Sequence, residues 1–372
     1  MTRLKILLPS ALLVLFCLGY SAYWLYAAQS LKTRLNDWAA AERAQGREVA
    51  WQNLKLSGFP FRFELTADDI VYERIGARGR LVWRAPTMTA IAQSYALGHI
   101  IFIAPGKHDL VFTPRDGTPA RHYEISADEA RASVVGAGFL RFERLSMEVR
   151  GFDGRGLSGS VAGKRLTAAT FMFQARVIPS MRKDSGKDSS KESGKTPAPV
   201  LKNDLQIAFT GENIRLYGAL AEQVAPFLPP AISHADAQGI FQNRVTKGRL
   251  LSLVTWRDWA IKGGKFKFEE ANIVAKPLNL RAHGEMGLDR NAALSGKLTL
   301  RLGGYNALID GLVATRQVGP TWGRIIKLML RAYAVVGDDD KGRVAVPLKF
   351  AKGEIYLGPL SLDEIGRFVR PD

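Results

Sequence analysis

Ser57-Gly58-Phe59-Pro60-Phe61-Arg62-Phe63-Glu64-Leu65-Thr66 carries the pattern on which the fold of this chain turns. Phe59, Phe61, Phe63 and Leu65 alternate with Pro60, Arg62 and Glu64. A repeat of two is that of a strand with one apolar face, because successive side chains leave opposite sides of the pleat. Pro60 has no N–H to give to a ladder, so this strand is expected at a sheet edge or to begin after the proline.

Downstream the same alternation recurs in short runs at 100–104, 109–113, 122–126, 145–149 and 166–177, separated by glycines and charged turns. Helical periodicity is scarce, and such spacing is the mark of an antiparallel sheet built from consecutive hairpins. The 36 glycines fit a chain with many turns. In the second half strands are expected at 205–210, 251–255, 260–267, 270–274, 278–288, 294–302, 344–350 and 353–357, with strands resuming near Arg249 after a helix at 219–227 that Pro229 and Pro230 halt. Two further helical stretches are expected at 305–315 and 322–336. Between the halves, residues 181–199 consist almost wholly of Ser, Lys, Asp, Glu, Gly and Pro; with nothing to bury, this tract reads as a disordered loop or linker.

Upstream the character changes. Residues 6–28 are 23 consecutive uncharged, mostly apolar residues, enough for a helix to span a hydrocarbon core of about 30 Å. Tyr20, Tyr23, Trp24 and Tyr26 crowd its C-terminal end like an interfacial aromatic belt, which sets the outer membrane face near 23–26. A cleaved signal peptide would need a small-x-small site, but Ala28 and Ala22 are each preceded two places earlier by tyrosine. Lipid attachment at Cys17 would need small residues before it, where Leu15 and Phe16 stand. An uncleaved anchor is therefore expected. Arg3 and Lys5 precede the helix while Lys32, Arg34 and Arg43 follow it, a near tie; the very short leading tail places that tail in the cytoplasm. Beyond the span, Leu31, Leu35 and Trp38 fall at i, i+4 and i+7, the apolar stripe of an amphipathic helix that continues the anchor and ends near Gly46. The expected organisation is a tail and anchor (1–30), a helix and first β-rich half (31–180), the polar tract (181–199) and a second β-rich half with helices (200–372).

The chain of 372 residues is 47% hydrophobic, which supplies a sizeable core, and it carries a formal charge of +17. The basic residues are dispersed without a long block, which argues against nucleic acid and leaves an anionic lipid surface or a phosphorylated glycolipid as an electrostatic partner. Cys17, inside the apolar run, is the only cysteine, so disulfides are excluded.

No constellation of catalytic residues is legible. His99, His108, His122, His234 and His283 lack the spacing that puts two metal ligands on one helical turn, and Asp338, Asp339 and Asp340 lack the alternating ligands of a calcium loop. Gly136, Gly138, Gly151, Gly154, Gly156 and Gly159 precede no helix that would cradle phosphate. The expectation is a non-enzymatic protein without metal or cofactor.

The anchor ending in Tyr23-Trp24-Leu25-Tyr26-Ala27-Ala28, the helix carrying Trp38 and the motif residues Ser57, Gly58, Phe59, Pro60 and Phe61 together resemble the DUF2125 family of Gram-negative inner-membrane proteins. Gly284-Glu285-Met286-Gly287-Leu288 leading to Gly296-Lys297-Leu298-Thr299-Leu300, and the close Lys352-Gly353-Glu354-Ile355-Tyr356-Leu357-Gly358-Pro359-Leu360, extend the likeness over nearly the whole chain. That family transfers a location and a fold and no catalytic residues. More loosely, the glycine-punctuated hairpins resemble AsmA-like and TamB-like envelope proteins, whose anchored β-grooves are associated with lipid transport and outer-membrane assembly. The resulting expectation is a mainly β protein with flanking helices: a transmembrane helix, then a large curved antiparallel sheet with a few packed helices. It is anchored in the inner membrane through residues 6–28, its body lies in the periplasm, and it binds lipid or glycolipid, or else an envelope protein. Sequence leaves open whether the apolar face of the sheet is a groove or a filled core.

Overall fold

The structure, a computed structural model, describes residues 2–136, 142–179, 203–225, 227–244, 259, 264–288, 294–316, 318–332, 343–351, 354–357 and 360–361. They are mainly strand, paired antiparallel into a sheet that does not close into a barrel, with a few helices and one long apolar helix at the N-terminus. The chain forms two compact units, 1–135 with 149–165 and 136–148 with 166–372. The expected division at 181–199 falls within the sequence of the second unit, and that tract lies outside the described residues.

In the first unit, α1 (Thr2–Ala44) is followed by β1 (Arg47–Ser57), β2 (Arg62–Gly76), β3 (Gly79–Gln93), β4 (Ala96–Ile103), β5 (Gly106–Pro114), β6 (Arg121–Ala127) and β7 (Glu129–Gly136), with β8 (Phe142–Ser158) contributing its later residues. β1, β2 and β3 pair in sequence order. β3 then forks. Its first half, Gly79 to Arg84, pairs with β5, and its second half, Thr89 to Gln93, with β4. Pro86, which cannot donate to a ladder, stands where the partner changes.

Pro86 also belongs to a line of distortion across three strands. Asp68 pairs with Thr87 and Ile70 with Ala85, so Asp69 lies opposite Pro86, and the register between β1 and β2 slips around Gln52. Asn53 and Asp69 have φ of 48° and 49°, the left-handed region that Asn and Asp tolerate best among residues bearing a side chain. A left-handed residue in a strand bends it and increases its twist. It also changes which parity faces inward: the residues on one face of the sheet run Val49, Trp51, then Leu54, Leu56 on β1, and Phe63, Leu65, Ala67, then Ile70, Tyr72 on β2. The strands thus keep one continuous apolar face through the bend, where a strict two-residue repeat would have turned its second half to solvent.

The opening stretch is two things rather than one strand, which corrects the reading of its alternation. β1 ends at Ser57, residues 58–61 turn, and β2 begins at Arg62, after the proline. Gly58, at φ 98°, makes the turn, and the Arg62 N–H donates to its carbonyl at 3.0 Å. A Cβ at Gly58 would sit 2.7 Å from the Arg62 carbonyl oxygen. Phe63 and Leu65 face inward, while Phe59 and Phe61 stand on the turn, 54% and 72% exposed.

The second unit is a meander: β9 (Lys164–Pro179), β10 (Asn203–Gly218), α2 (Ala219–Val224), β11 (Ala231–Arg244), β12 (Lys265–Ala275), β13 (Leu278–Leu288), β14 (Leu294–Gly303), α3 (Tyr305–Ala314), α4 (Pro320–Arg331), β15 (Arg343–Ala351), β16 (Glu354–Leu357) and β17 (Leu360–Ser361). Each strand from β10 to β16 pairs antiparallel with the next. α3 and α4 cover part of it, burying Tyr305, Ile309 and Leu330 against Val344 and Val346. The two helices approach closely at Gly323, where a Cβ would come within 2.6 Å of a Val313 methyl. β11 corrects the expectation that strands resume only near Arg249: they resume at Ala231, directly after the proline pair. The runs 260–267 and 270–274 contribute to the one strand β12. The expected strand at 251–255, the tail of the helix at 322–336 and Asp338 to Asp340 lie outside the described residues.

Left-handed backbone at Asp69 makes a specific prediction. Asp69→Gly should leave stability within about 0.5 kcal/mol of the parent, whereas Asp69→Val, β-branched in that conformation, should cost about 1–3 kcal/mol. Urea unfolding of the full chain in detergent distinguishes them, and equal losses would mean that backbone conformation is not what Asp69 supplies.

Candidate functional site

α1 is 43 residues long, and its portion Pro9–Ala44 is long and apolar enough to cross a membrane by length and composition. Leu12, Leu13, Leu15, Phe16 and Leu18 are each about three-fifths exposed or more, so the early part of the helix stands clear of the other described residues. Contact with the sheet begins at Tyr20. The Tyr20 hydroxyl lies 2.8 Å from the Pro60 carbonyl oxygen and 2.7 Å from the Ser94 hydroxyl, and the Tyr23 hydroxyl donates to the Ser94 carbonyl at 3.3 Å. Ser94, in the β3–β4 turn, is itself buried and donates its N–H to the Phe61 carbonyl at 3.1 Å.

One turn further on, Trp24 is 6% exposed. Its ring stacks on Phe63 at 5.3 Å, meets Phe59 edge-on at 5.4 Å, and donates its N–H to the Arg62 carbonyl at 3.1 Å. Ala28 and Leu31 extend this contact along the helix towards Leu56.

Above the clamp the helix meets the sheet again at its far end, where the Arg43 guanidinium donates to the Val49 carbonyl at 3.0 and 2.6 Å and Ala39 is buried, and hollows lie between these two contacts. A hollow of about 670 Å³ opens between α1 and the inward face of the sheet, with Tyr23, Tyr26, Leu31 and Arg34 on the helix side and Leu56, Leu65, Ala92, Leu97 and Ile100 among those on the sheet side. A second hollow of about 370 Å³ adjoins it, walled by Val49, Trp51, Ile70, Tyr72 and Trp83. The two share Leu35, Trp38, Leu65, Ala90 and Phe102, so together they make one apolar groove. Leu31, Leu35 and Trp38, the expected stripe of the amphipathic helix, form its roof. Volumes of this size are in the range of ligand sites. Arg34 supplies a cation on the lining and has no ion pair among the described residues.

A different cluster lies in the second unit. His234 places Nδ1 2.7 Å from Glu212 and Nε2 2.6 Å from Asp236, to which Asn272 also donates at 3.3 Å. The hydrogen bond to Glu212 raises the imidazole pKa above its ordinary value, with Asp236 adding to it. A carboxylate on each nitrogen favours the imidazolium over the neutral ring. The strands β10 and β11, neighbours in the ladder, bring these groups together; from the sequence alone His234 was a lone residue. His99 meets the Ser133 hydroxyl, His108 the Ala104 carbonyl and the Trp83 ring, and His122 meets Asp109. Among the described residues no three His, Cys, Asp or Glu side chains form a set able to hold a metal ion. The glycine-rich hairpin of β13 and β14 frames a hollow of about 590 Å³ bearing Lys265, Lys297, His283 and Glu285, with Lys265 and Glu285 3.7 Å apart.

The family model for an uncharacterised protein conserved in bacteria, DUF2125, matches residues 24–365. No curated protein and no solved structure matches the chain.

The His234 cluster carries a signed pH dependence. Because its folded pKa is raised, its contribution to stability is fully present below the unfolded value of about 6.5 and is lost as pH rises through the folded value. A titration followed by NMR should show a His234 midpoint above that of an exposed histidine, and the stability gap between the parent and His234→Gln should narrow from pH 6 towards pH 9; a constant gap would refute the ion-paired imidazolium.

Proposed function

This chain belongs to the DUF2125 family of uncharacterised bacterial proteins, and we propose that it is a membrane-anchored, non-enzymatic protein that holds the acyl chain of an anionic lipid in the groove beneath α1. On this reading α1 crosses the inner membrane, the short leading tail is cytoplasmic, and the β-rich body stands in the periplasm.

The observation that carries the proposal is the groove itself. Its larger hollow begins at Tyr23 and Tyr26, the aromatic end of the apolar run, so its lower end sits at the helical level where a spanning helix would leave the bilayer. Its walls are overwhelmingly aliphatic and aromatic, which suits a hydrocarbon chain and offers little to a polar substrate. Among the described residues Arg34 is the one basic side chain on either wall, in keeping with a phosphate or carboxylate headgroup. The small residues Ala90 and Ala92 on β3 leave the space open; larger side chains there would have filled it as a core.

Ala90 borders both hollows, which makes it the position to test. The full chain, extracted in mild detergent and weighed by native mass spectrometry, should carry lipid, and Ala90→Trp should reduce the bound fraction at least tenfold, a loss of about 1.4 kcal/mol in binding. Lipid added back should raise the melting temperature of the parent and leave that of the variant unmoved. Parent protein without bound lipid, or equal occupancy in both, would sink the proposal.

A further inference from the structure

We propose that the two turns clamped to α1, residues 58–61 and 94–95, insert into the lipid interface as an aromatic wedge, giving the body a second attachment to the membrane beside the helix. The inference rests on α1 being a span, as proposed above, and is independent of whether the groove holds lipid.

The first support is position along α1. The apolar run 6–28 is 23 residues, about 34 Å at about 1.5 Å per residue, and a hydrocarbon core is about 30 Å thick. Tyr20, which holds Pro60 and Ser94, lies eight residues before the end of that run, and Trp24, which holds Phe59, Arg62 and Phe63, lies four before it. These separations are about 12 Å and about 6 Å along the axis. Amphipathic elements that lie in a membrane interface bury their apolar faces by about 5–10 Å. A helix that spans with residues 6–28 therefore carries both turns down to the boundary between headgroups and acyl chains.

The second support is what the turns expose. Phe59, Phe61 and Tyr95 are 54%, 72% and 75% exposed, and Leu97 beside them is 51% exposed. A soluble domain seldom gathers three exposed aromatics and a leucine at one end, and aromatic side chains are those favoured at the interfacial level. Polar groups at the turns have partners within the protein: the Pro60 and Phe61 carbonyls and the Ser94 hydroxyl are hydrogen-bonded, and Arg62, where β2 begins, is ion-paired with Glu64 at 2.9 Å. Leu97 also lines the larger hollow, so the wedge and the lower end of the groove share a residue.

Spin labelling of single cysteines tests this in the full chain reconstituted into vesicles of phosphatidylethanolamine and phosphatidylglycerol. One label goes on native Cys17, exposed on α1; the others go on Phe61→Cys, Tyr95→Cys or Arg78→Cys in a Cys17→Ser background. Arg78 is in the β2–β3 turn, at the opposite end of β2 from Phe61. The ratio of oxygen to nickel-chelate accessibility should be at least threefold higher at 61 and 95 than at 78, and high at 17. Labels at 61 or 95 that behave like the one at 78 overturn the wedge and leave the anchor standing. A label at 17 exposed to the aqueous nickel chelate overturns the anchor and the wedge together. Loss of lipid from the groove in Ala90→Trp, with 61 and 95 still in the bilayer, leaves the wedge intact.

Discussion

The indole of Trp24 makes one stacked contact, one edge-on contact and one N–H bond, and the seating of α1 in the first unit follows from where they point. Stacking on Phe63 seats α1 against β2, the edge contact to Phe59 seats it against the turn, and the hydrogen bond to the Arg62 carbonyl fixes its height. An aromatic pair adds about 0.5–1.5 kcal/mol beyond the area that it buries, and loss of a buried Trp side chain costs about 3–5 kcal/mol. That is a substantial share of the stability of any domain. The clamp holds α1 at the lower end of the contact, and the Arg43 guanidinium, donating to the Val49 carbonyl, holds it again at the upper end, so α1 bridges over the sheet between two fixed points. The space left between them is the groove.

What keeps that space lined with hydrocarbon is the line Asn53, Asp69 and Pro86. Two left-handed residues and one proline bend the three strands together and shift their inward parity at the same place. A strict two-residue repeat would have brought Asn53 and Lys55 of β1, and Asp69 and Glu73 of β2, to the groove face. The polar identities of Asn53 and Asp69 are thus conformational choices, and both side chains are exposed.

The β class of the body, the uninterrupted helix from the apolar run to about Gly46, and many strands of both halves could be read from residue periodicity, because each of these signals is local. β13 and β14 show such clean alternation between turns that their limits match closely. β11 is not legible because Ala231 to Arg244 interleaves Ala, Gln and other polar residues among few large apolar ones, so the proline pair reads as the end of an element and not the start of one. Alternation alone puts Phe59 and Phe61 on the same face as Phe63, because it does not reveal that Gly58 turns the chain; Pro60 does signal that the strand begins after it. Sequence leaves the groove as one of two outcomes. Whether an apolar face is roofed or filled depends on the distance between α1 and β3, and small residues such as Ala90 and Ala92 read identically in a packed core and in an open hollow. The His234 cluster depends on register across β10, β11 and β12, which no local signal carries.

α1 runs without a break from Thr2 to Ala44, so the segment read as membrane-spanning and the roof of the groove are one rigid rod. A protein tethered by a flexible linker samples a hemisphere above its membrane; one mounted on a continuous helix does not. On the proposed reading, any tilt that the helix adopts to match the thickness of its bilayer is transmitted undiminished to the first unit, and the groove leans with it. Membrane thickness thereby becomes a mechanical input to the angle at which the groove meets the lipid surface.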